Sequence, residues 1–160
     1  MLLGALFDDA RARLADVPRV HLGQWQRRRI LGISRAPRIV PAGTAWHLGV
    51  LLVTDDAVLA AGEIVRARED VRRGFAAESQ RARAEVAAAA FRGGFPEGAV
   101  VHLDAQPIDL DAVREGAASG PLSLEKGVPV VRWSSAGGLI PLEDYLAERI
   151  ALLCAPPPGA

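Results

Sequence analysis

Residues 45–68, which read AWHLGVLLVTDDAVLAAGEIVRAR, decide the fold class that the sequence predicts. The first part, residues 45–53, is almost continuously apolar and rich in strand-forming types, TDD at 54–56 has turn chemistry, and an apolar run resumes at residue 57. This order predicts a β-hairpin with its turn near residues 55–56. Because the first strand has no polar face, we expect it to be covered on both sides and to lie centrally in a sheet.

Helical periodicity predicts three helices around this sheet, near residues 2–17, 76–92 and 141–154. Gly93 and Gly94 end the second helix, and the acidic residues Glu143 and Asp144 suit the first turn of the third. Between the last two helices, AVVHLDA at 99–105 predicts a buried strand and PIDLDAVREG at 107–116 a short helix or turn.

A second hairpin is predicted in PLSLEKGVPVVRWS at 121–134, turning at residues 125–127. The predicted class is therefore α+β, with an antiparallel sheet built from two hairpins and flanking strands, packed against N-terminal, central and C-terminal helices. We expect one domain over residues 1–155 and a frayed, proline-rich tail at 156–160.

Composition narrows the classes of partner that we expect. The 19 basic and 19 acidic residues cancel, so no nucleic acid or membrane partner is expected from net charge. Lys126 is the only lysine, which indicates the codon bias of a GC-rich genome and discounts arginine as evidence of phosphate binding. With Cys154 as the single cysteine and no secretion signal, we expect a cytoplasmic protein without disulfides; a homo-oligomer is compatible with the sequence.

The arginine-rich stretch RAREDVRRGFAAESQR at 66–81 predicts a site for a small anion. Arg66 and Arg68 alternate at a strand end and share a face, and Arg72 and Arg73 lie in the turn before the second helix. Arginines beside a helix N-terminus, with its free N–H groups, suit a carboxylate or phosphate. The alternative is internal neutralisation by nearby acids, and the candidates for it are Glu69, Asp70 and Glu78.

His47 and Glu63 form the candidate catalytic pair, because the predicted hairpin register brings them close to opposite. A carboxylate beside an imidazole can orient a general base, and the same pair can simply fix the strand register. Three histidines could also bind zinc, but the compact ligand spacings are missing, so neither a metal nor a cofactor is expected.

Three further patterns are weaker indications of a functional site. SLEK at 123–126 has Ser-x-x-Lys spacing, but the predicted hairpin denies Ser123 and Lys126 the helical turn that would join them. Cys154 has no glycine-rich elbow. RWSSAGG at 132–138 offers a turn that could cradle an anion, and the three tryptophans are typical of a core.

The order of AWHLGVLLVTDD, GEIVRARE, AAESQRARAEVAAAAFRGGF, VVHLDA, GVPVVRWSSAGG and PLEDYLAERIALL resembles a family of short actinobacterial proteins of unknown function, over nearly the full length. Some members of that family are labelled glutaminases. The resemblance implies kinship and supplies no catalytic residues. Three functions stay open: a small binding or accessory module with an anion site, an amide hydrolase of glutaminase type, and a purely structural subunit.

Overall fold

Four helices form within the part of the chain that the computed structural model describes, which is residues 2–70, 74 and 77–159. They are α1 (Leu3–Leu14), α2 (Glu78–Arg92), α3 (Leu110–Arg114) and α4 (Leu142–Cys154). Three of them match the predicted helices, and α3 lies in the segment expected to form a short helix or turn. The side chain of Asp109 begins α3 by accepting the N–H groups of Asp111 and Ala112, which have no partner inside the helix.

The strands are short, apart from one. They are β1 (Val20–Gln26), β2 (Arg29–Ile30), β3 (Ile33–Ser34), β4 (Arg38–Leu48), β5 (Leu51–Val53), β6 (Val58–Ala60), β7 (Glu63–Arg66), β8 (Val100–Leu103), β9 (Gln106–Pro107), β10 (Leu122–Glu125), β11 (Val128–Arg132) and β12 (Leu139–Pro141). With four helices and mostly antiparallel strands, the α+β class is confirmed. The sheet is mixed rather than purely antiparallel, because β1 runs parallel to β8, with Leu22 opposite His102.

The chain forms two compact units. The first unit contains residues Met1–Arg19, Ala45–Ala61 and Ala105–Ala160, and the second contains Val20–Thr44 and Gly62–Asp104. In the first unit α1 packs against α4, and both bury apolar side chains in a core with β5, β6 and β11. In the second unit α2 packs on β7, and a smaller core gathers alanines of α2 with side chains of β4, β7 and β8. The backbone of α2 lies close to the end of β7, since the N–H of Arg68 donates to the carbonyl oxygen of Ala87 at 3.1 Å.

The first predicted hairpin is wrong in its register. The apolar run at 45–53 is two strands, because the chain turns at Gly49 and Val50 and pairs Leu48 with Leu51. The turn near Asp55 exists as well, and it joins β5 to β6, with Val53 opposite Val58. Residues 63–66 then form a separate strand that pairs with β8.

The second predicted hairpin is confirmed. β10 pairs with β11 so that Glu125 lies opposite Val128, which leaves Lys126 and Gly127 as a two-residue turn. Both turn residues have positive φ, 53° and 79°, which is the conformation that two-residue hairpins of type I′ require.

Candidate functional site

Arg66 and Arg68 converge on one loop of the second unit. β7 and β8 bring the strand end to this loop, because Arg66 lies opposite Val100 in the antiparallel register. The Nη1 of Arg66 donates to the carbonyl oxygen of Gly98 at 3.2 Å, and the Nη1 of Arg68 lies 3.6 Å from Oε1 of Glu97. The two guanidinium groups are therefore anchored on adjacent residues.

Backbone bonds hold the loop against the strand end. The N–H of Ala67 donates to Ala99 at 2.8 Å, and the N–H of Gly98 donates back to Ala67 at 2.7 Å. The N–H of Glu69 donates to the second carboxylate oxygen of Glu97 at 2.7 Å. Glu97 thus binds a guanidinium with one oxygen and the main chain with the other.

The charge at this place is uneven. Among the described residues, Arg68 pairs with one carboxylate, whereas Arg66 binds a neutral carbonyl oxygen. The Arg68 and Glu97 side chains are 62% and 55% exposed, so water screens their attraction strongly. Exposed pairs of this kind contribute about 0.2–1 kcal/mol.

The acid that pairs with Arg68 differs from those expected. Within the described residues, neither Glu69, Asp70 nor Glu78 forms an ion pair with Arg66 or Arg68. The pairing carboxylate belongs to Glu97, which follows β7 by about thirty residues and reaches it through the β7–β8 pairing. No local signal in the sequence marks that partner, since it depends on which strands are neighbours.

The other two arginines of the predicted anion site, Arg72 and Arg73, lie outside the described residues. Their gathering at the start of α2 stays a prediction. The described helix begins at Glu78, and its N-cap residue, Ala77, makes no side-chain hydrogen bond to the helix.

His47 and Glu63 each have their own strand partner. In β4 His47 lies opposite Leu52, and in β7 Glu63 lies opposite Leu103. The predicted register, which set them opposite one another, is therefore wrong, because the turn comes at Gly49 and ends the first strand early. The Nε2 of His47 lies 2.9 Å from the carbonyl oxygen of Gly49, a contact that ties the imidazole to this turn.

The remaining histidines lie in separate settings. His21 is exposed, with its ring 6.0 Å from that of Phe95 in an edge-to-face arrangement, and His102 is buried in β8. Among the described residues, no three His, Cys, Asp or Glu side chains group as metal ligands.

Ser123 and Lys126 are placed on a strand and in a turn, so the helical spacing that SLEK chemistry needs is not formed. Cys154 is exposed at the end of α4. In the RWSSAGG segment, the N–H of Trp133 donates to Gly138 and that of Gly137 donates to Ser134, each at 3.2 Å. These two N–H groups are committed inside the loop, which weakens its case as an anion cradle.

The ion pair between Arg19 and Asp55 in the first unit has a structural role. Arg19 donates to both carboxylate oxygens of Asp55, at 3.0 and 2.6 Å, and its guanidinium lies 4.0 Å from the ring centroid of Trp46. The indole N–H of Trp46 donates to the carbonyl oxygen of Val17 at 3.0 Å. The hydrogen bond from Arg19 lowers the pKa of the Asp55 carboxyl, and Asp55 raises the pKa of Arg19. Trp46 is therefore a core residue whose one polar group, the indole N–H, is hydrogen-bonded.

The comparisons with known proteins add no relative. No family model, curated protein or solved structure matches this chain. The resemblance to short actinobacterial proteins and the amide-hydrolase hypothesis both stay predictions. None of the helices in the described ranges combines the length and apolar character needed to cross a membrane.

Proposed function

We propose that this chain is a small binding module that takes a carboxylate or phosphate group beside Arg66 and Arg68. The observation that carries the proposal is the convergence of both guanidinium groups on the loop that contains Glu97 and Gly98. Planar guanidinium groups bind carboxylate and phosphate oxygens in paired hydrogen bonds, which a single ammonium group cannot do.

Arg66 supplies a positive charge that its own contact does not neutralise. Its Nη1 donates to a neutral carbonyl oxygen, so the guanidinium keeps its charge and its remaining N–H donors for a ligand. The residue is exposed, and an anion can reach it without displacing buried side chains.

Glu97 competes with a ligand for the Arg68 guanidinium. A ligand that binds Arg68 has to exchange with the Glu97 carboxylate, whose ion pair at 3.6 Å is long and exposed. Because such a pair stabilises by about 0.2–1 kcal/mol, the exchange costs at most about a fivefold loss of affinity.

A thermal-shift titration with citrate and with inorganic phosphate tests the proposal. A ligand at about 100 times its Kd stabilises the protein by about 2.7 kcal/mol, which raises Tm by about 5–10 °C for a chain of this size. The variant Arg66→Gln with Arg68→Gln should remove that rise. The matched control is Arg81→Gln with Arg83→Gln, two exposed arginines of α2, which should keep it.

Two outcomes of the thermal-shift titration would contradict the proposal. If neither anion raises Tm, or if both double variants lose the response equally, binding does not depend on Arg66 and Arg68. Replacing Arg72 and Arg73 by alanine measures whether the turn residues contribute as well.

A further inference from the structure

The positive charge of this chain is concentrated in one segment. Residues 20–44 contain five arginines and no aspartate or glutamate. Since the whole chain has 19 basic and 19 acidic residues, the remainder has 14 basic and 19 acidic residues, and the segment's charge of +5 is balanced by −5 elsewhere. The neutral total therefore conceals a strongly basic segment.

This segment contains a β-hairpin that we call the arm, residues 26–38. β2 and β3 form a separate two-stranded sheet in which Ile30 lies opposite Ile33. The N–H of Arg35 donates to Arg28 at 3.0 Å, and at the base the Nε of Arg38 donates to the side-chain oxygen of Gln26 at 2.6 Å. These bonds define a ribbon that leaves the sheet after β1 and returns as β4.

The tip of the arm is apolar and exposed. Every residue from 27 to 36 is exposed, with Leu31, Ile33 and Ile30 at 96%, 68% and 38%. Leu31 and Gly32 form the turn with φ of 54° and 76°. Asparagine or glycine is the usual residue at the first of these positions, so leucine there serves neither the turn nor the core.

Four arginines of the arm flank this tip in the sequence. They are Arg27, Arg28, Arg29 and Arg35. No carboxylate within the described ranges forms an ion pair with any of these four. Arg28 and Arg35 stand two residues from Ile30 and Ile33 along their strands, so these four side chains share one face of the ribbon.

We propose that the arm binds an anionic phospholipid bilayer, with its apolar tip inserted among the acyl chains and its arginines at the level of the phosphates. The distance from Arg28 to Leu31 is three residues, or about 10 Å of strand, which matches the depth of about 5–10 Å that interfacial segments reach. Arginine stems can extend along the apolar tip while the guanidinium groups stay with the headgroups. This site is separate from the anion site at Arg66 and Arg68, and it revises the expectation of no membrane partner that net charge suggested.

A bilayer fits the arm better than duplex DNA does. Phosphates alone would account for the arginines, but not for three apolar side chains gathered at the end of the ribbon. A bilayer supplies both layers in the observed order, with negative charge outside and hydrocarbon within.

Co-sedimentation of the full chain with vesicles tests the binding. We expect partitioning into 70:30 phosphatidylcholine:phosphatidylglycerol vesicles at low salt, much weaker partitioning into phosphatidylcholine alone, and a steep loss with added NaCl. The variant Arg28→Gln with Arg35→Gln should lower the partition coefficient about 30-fold, from two lost charges near the surface. The control, Arg81→Gln with Arg83→Gln, should not.

The variant Leu31→Asn isolates the apolar tip. Asn-Gly is the preferred sequence of a type I′ turn, so this change keeps the arm folded while it removes the inserted side chain. We expect its partition coefficient to fall about tenfold or more. Val128→Thr, at an exposed hairpin position of the first unit, is the matched control and should bind as the parent does.

Insertion is read directly from a fluorophore at residue 31. In a Cys154→Ser background, an environment-sensitive dye on Leu31→Cys should shift to the blue with anionic vesicles, and the same dye on Thr44→Cys, in the strand that follows the arm, should not. The proposal is overturned if anionic vesicles do not bind, if Leu31→Asn binds as well as the parent, or if the dye at residue 31 does not shift. Tighter binding to a 20-base-pair DNA duplex that Leu31→Asn leaves unchanged would also overturn it.

Discussion

Replacement of Tyr145 by phenylalanine tests how α4 holds the turn between β4 and β5. The Tyr145 hydroxyl donates to the carbonyl oxygen of Leu48 at 2.9 Å and accepts the N–H of Val50 at 2.8 Å, while its side chain is only 1% exposed. Phenylalanine keeps the ring and leaves both backbone groups without that partner. An unsatisfied buried polar group costs about 1–3 kcal/mol, so we expect a loss of about 3 kcal/mol in the free energy of unfolding.

Gly49 supplies a second, linked perturbation. It has φ of 65°, and a Cβ added there would meet the Tyr145 hydroxyl first and too closely. Gly49→Ala should therefore be destabilising for two reasons, backbone strain and the clash. Because Tyr145→Phe removes the clashing oxygen, the double variant should lose less stability than the two single losses summed, by more than about 0.5 kcal/mol.

Urea unfolding followed by circular dichroism measures all four proteins. Tyr145→Phe should unfold at lower urea with an unchanged m value, and its Tm should fall by about 6–12 °C. Stability within about 0.5 kcal/mol of the parent, or strictly additive losses in the double variant, would refute the role given to the hydroxyl.

Three further predictions concern other parts of the chain. Asp55→Asn should be less stable than the parent near neutral pH, because hydrogen bonding to Arg19 lowers the pKa of the Asp55 carboxyl in the folded state. This contribution is present above the unfolded pKa of about 4 and is lost as the pH falls through the folded value, so the stabilities of the two proteins in urea unfolding should converge at acidic pH. Asp109→Ala should lose about 1 kcal/mol in urea unfolding, because the helix α3 loses its N-cap, whereas Asp109→Asn should lose less. Leu31→Asn should raise Tm or leave it unchanged, because asparagine tolerates the positive φ; a clear decrease would contradict the turn geometry of the arm.

The sequence predicted the elements whose signals are local. The helices follow from apolar periodicity and from breakers such as Gly93 and Gly94. The turn at Lys126 and Gly127 follows from short-range turn chemistry, and the structure places it there. These features depend on residues within a few positions of one another.

The register of the first hairpin could not be predicted from local signals. Its apolar run contains a turn at Gly49 and Val50 without the usual polar residues, because Tyr145 satisfies the turn's backbone groups from 95 residues further along the chain. The register of His47 and Glu63 was wrong for this reason. The pairing of Arg68 with Glu97 could not be predicted from the sequence for a related reason, since it arises from the contact between β7 and β8.

The arm is different, because its signal is visible in the sequence. The absence of any acid between residues 20 and 44, beside five arginines, marks a basic segment that the neutral net charge averages away. Charge counted over segments would have indicated it. What the sequence does not reveal is that Ile30, Leu31 and Ile33 stay exposed, since an apolar run of that length is equally typical of a buried strand.

Calorimetric titration of citrate at low salt into three proteins tests the proposed binding function most directly. The parent should bind citrate, Arg66→Gln with Arg68→Gln should not, and Glu97→Gln should bind more tightly than the parent, by up to about fivefold. Glutamine at position 97 can still accept the N–H of Glu69, so the loop keeps its shape while Arg68 is released from its ion pair. Equal affinity in all three proteins, or weaker binding by Glu97→Gln than by the parent, would contradict an anion site at Arg66 and Arg68.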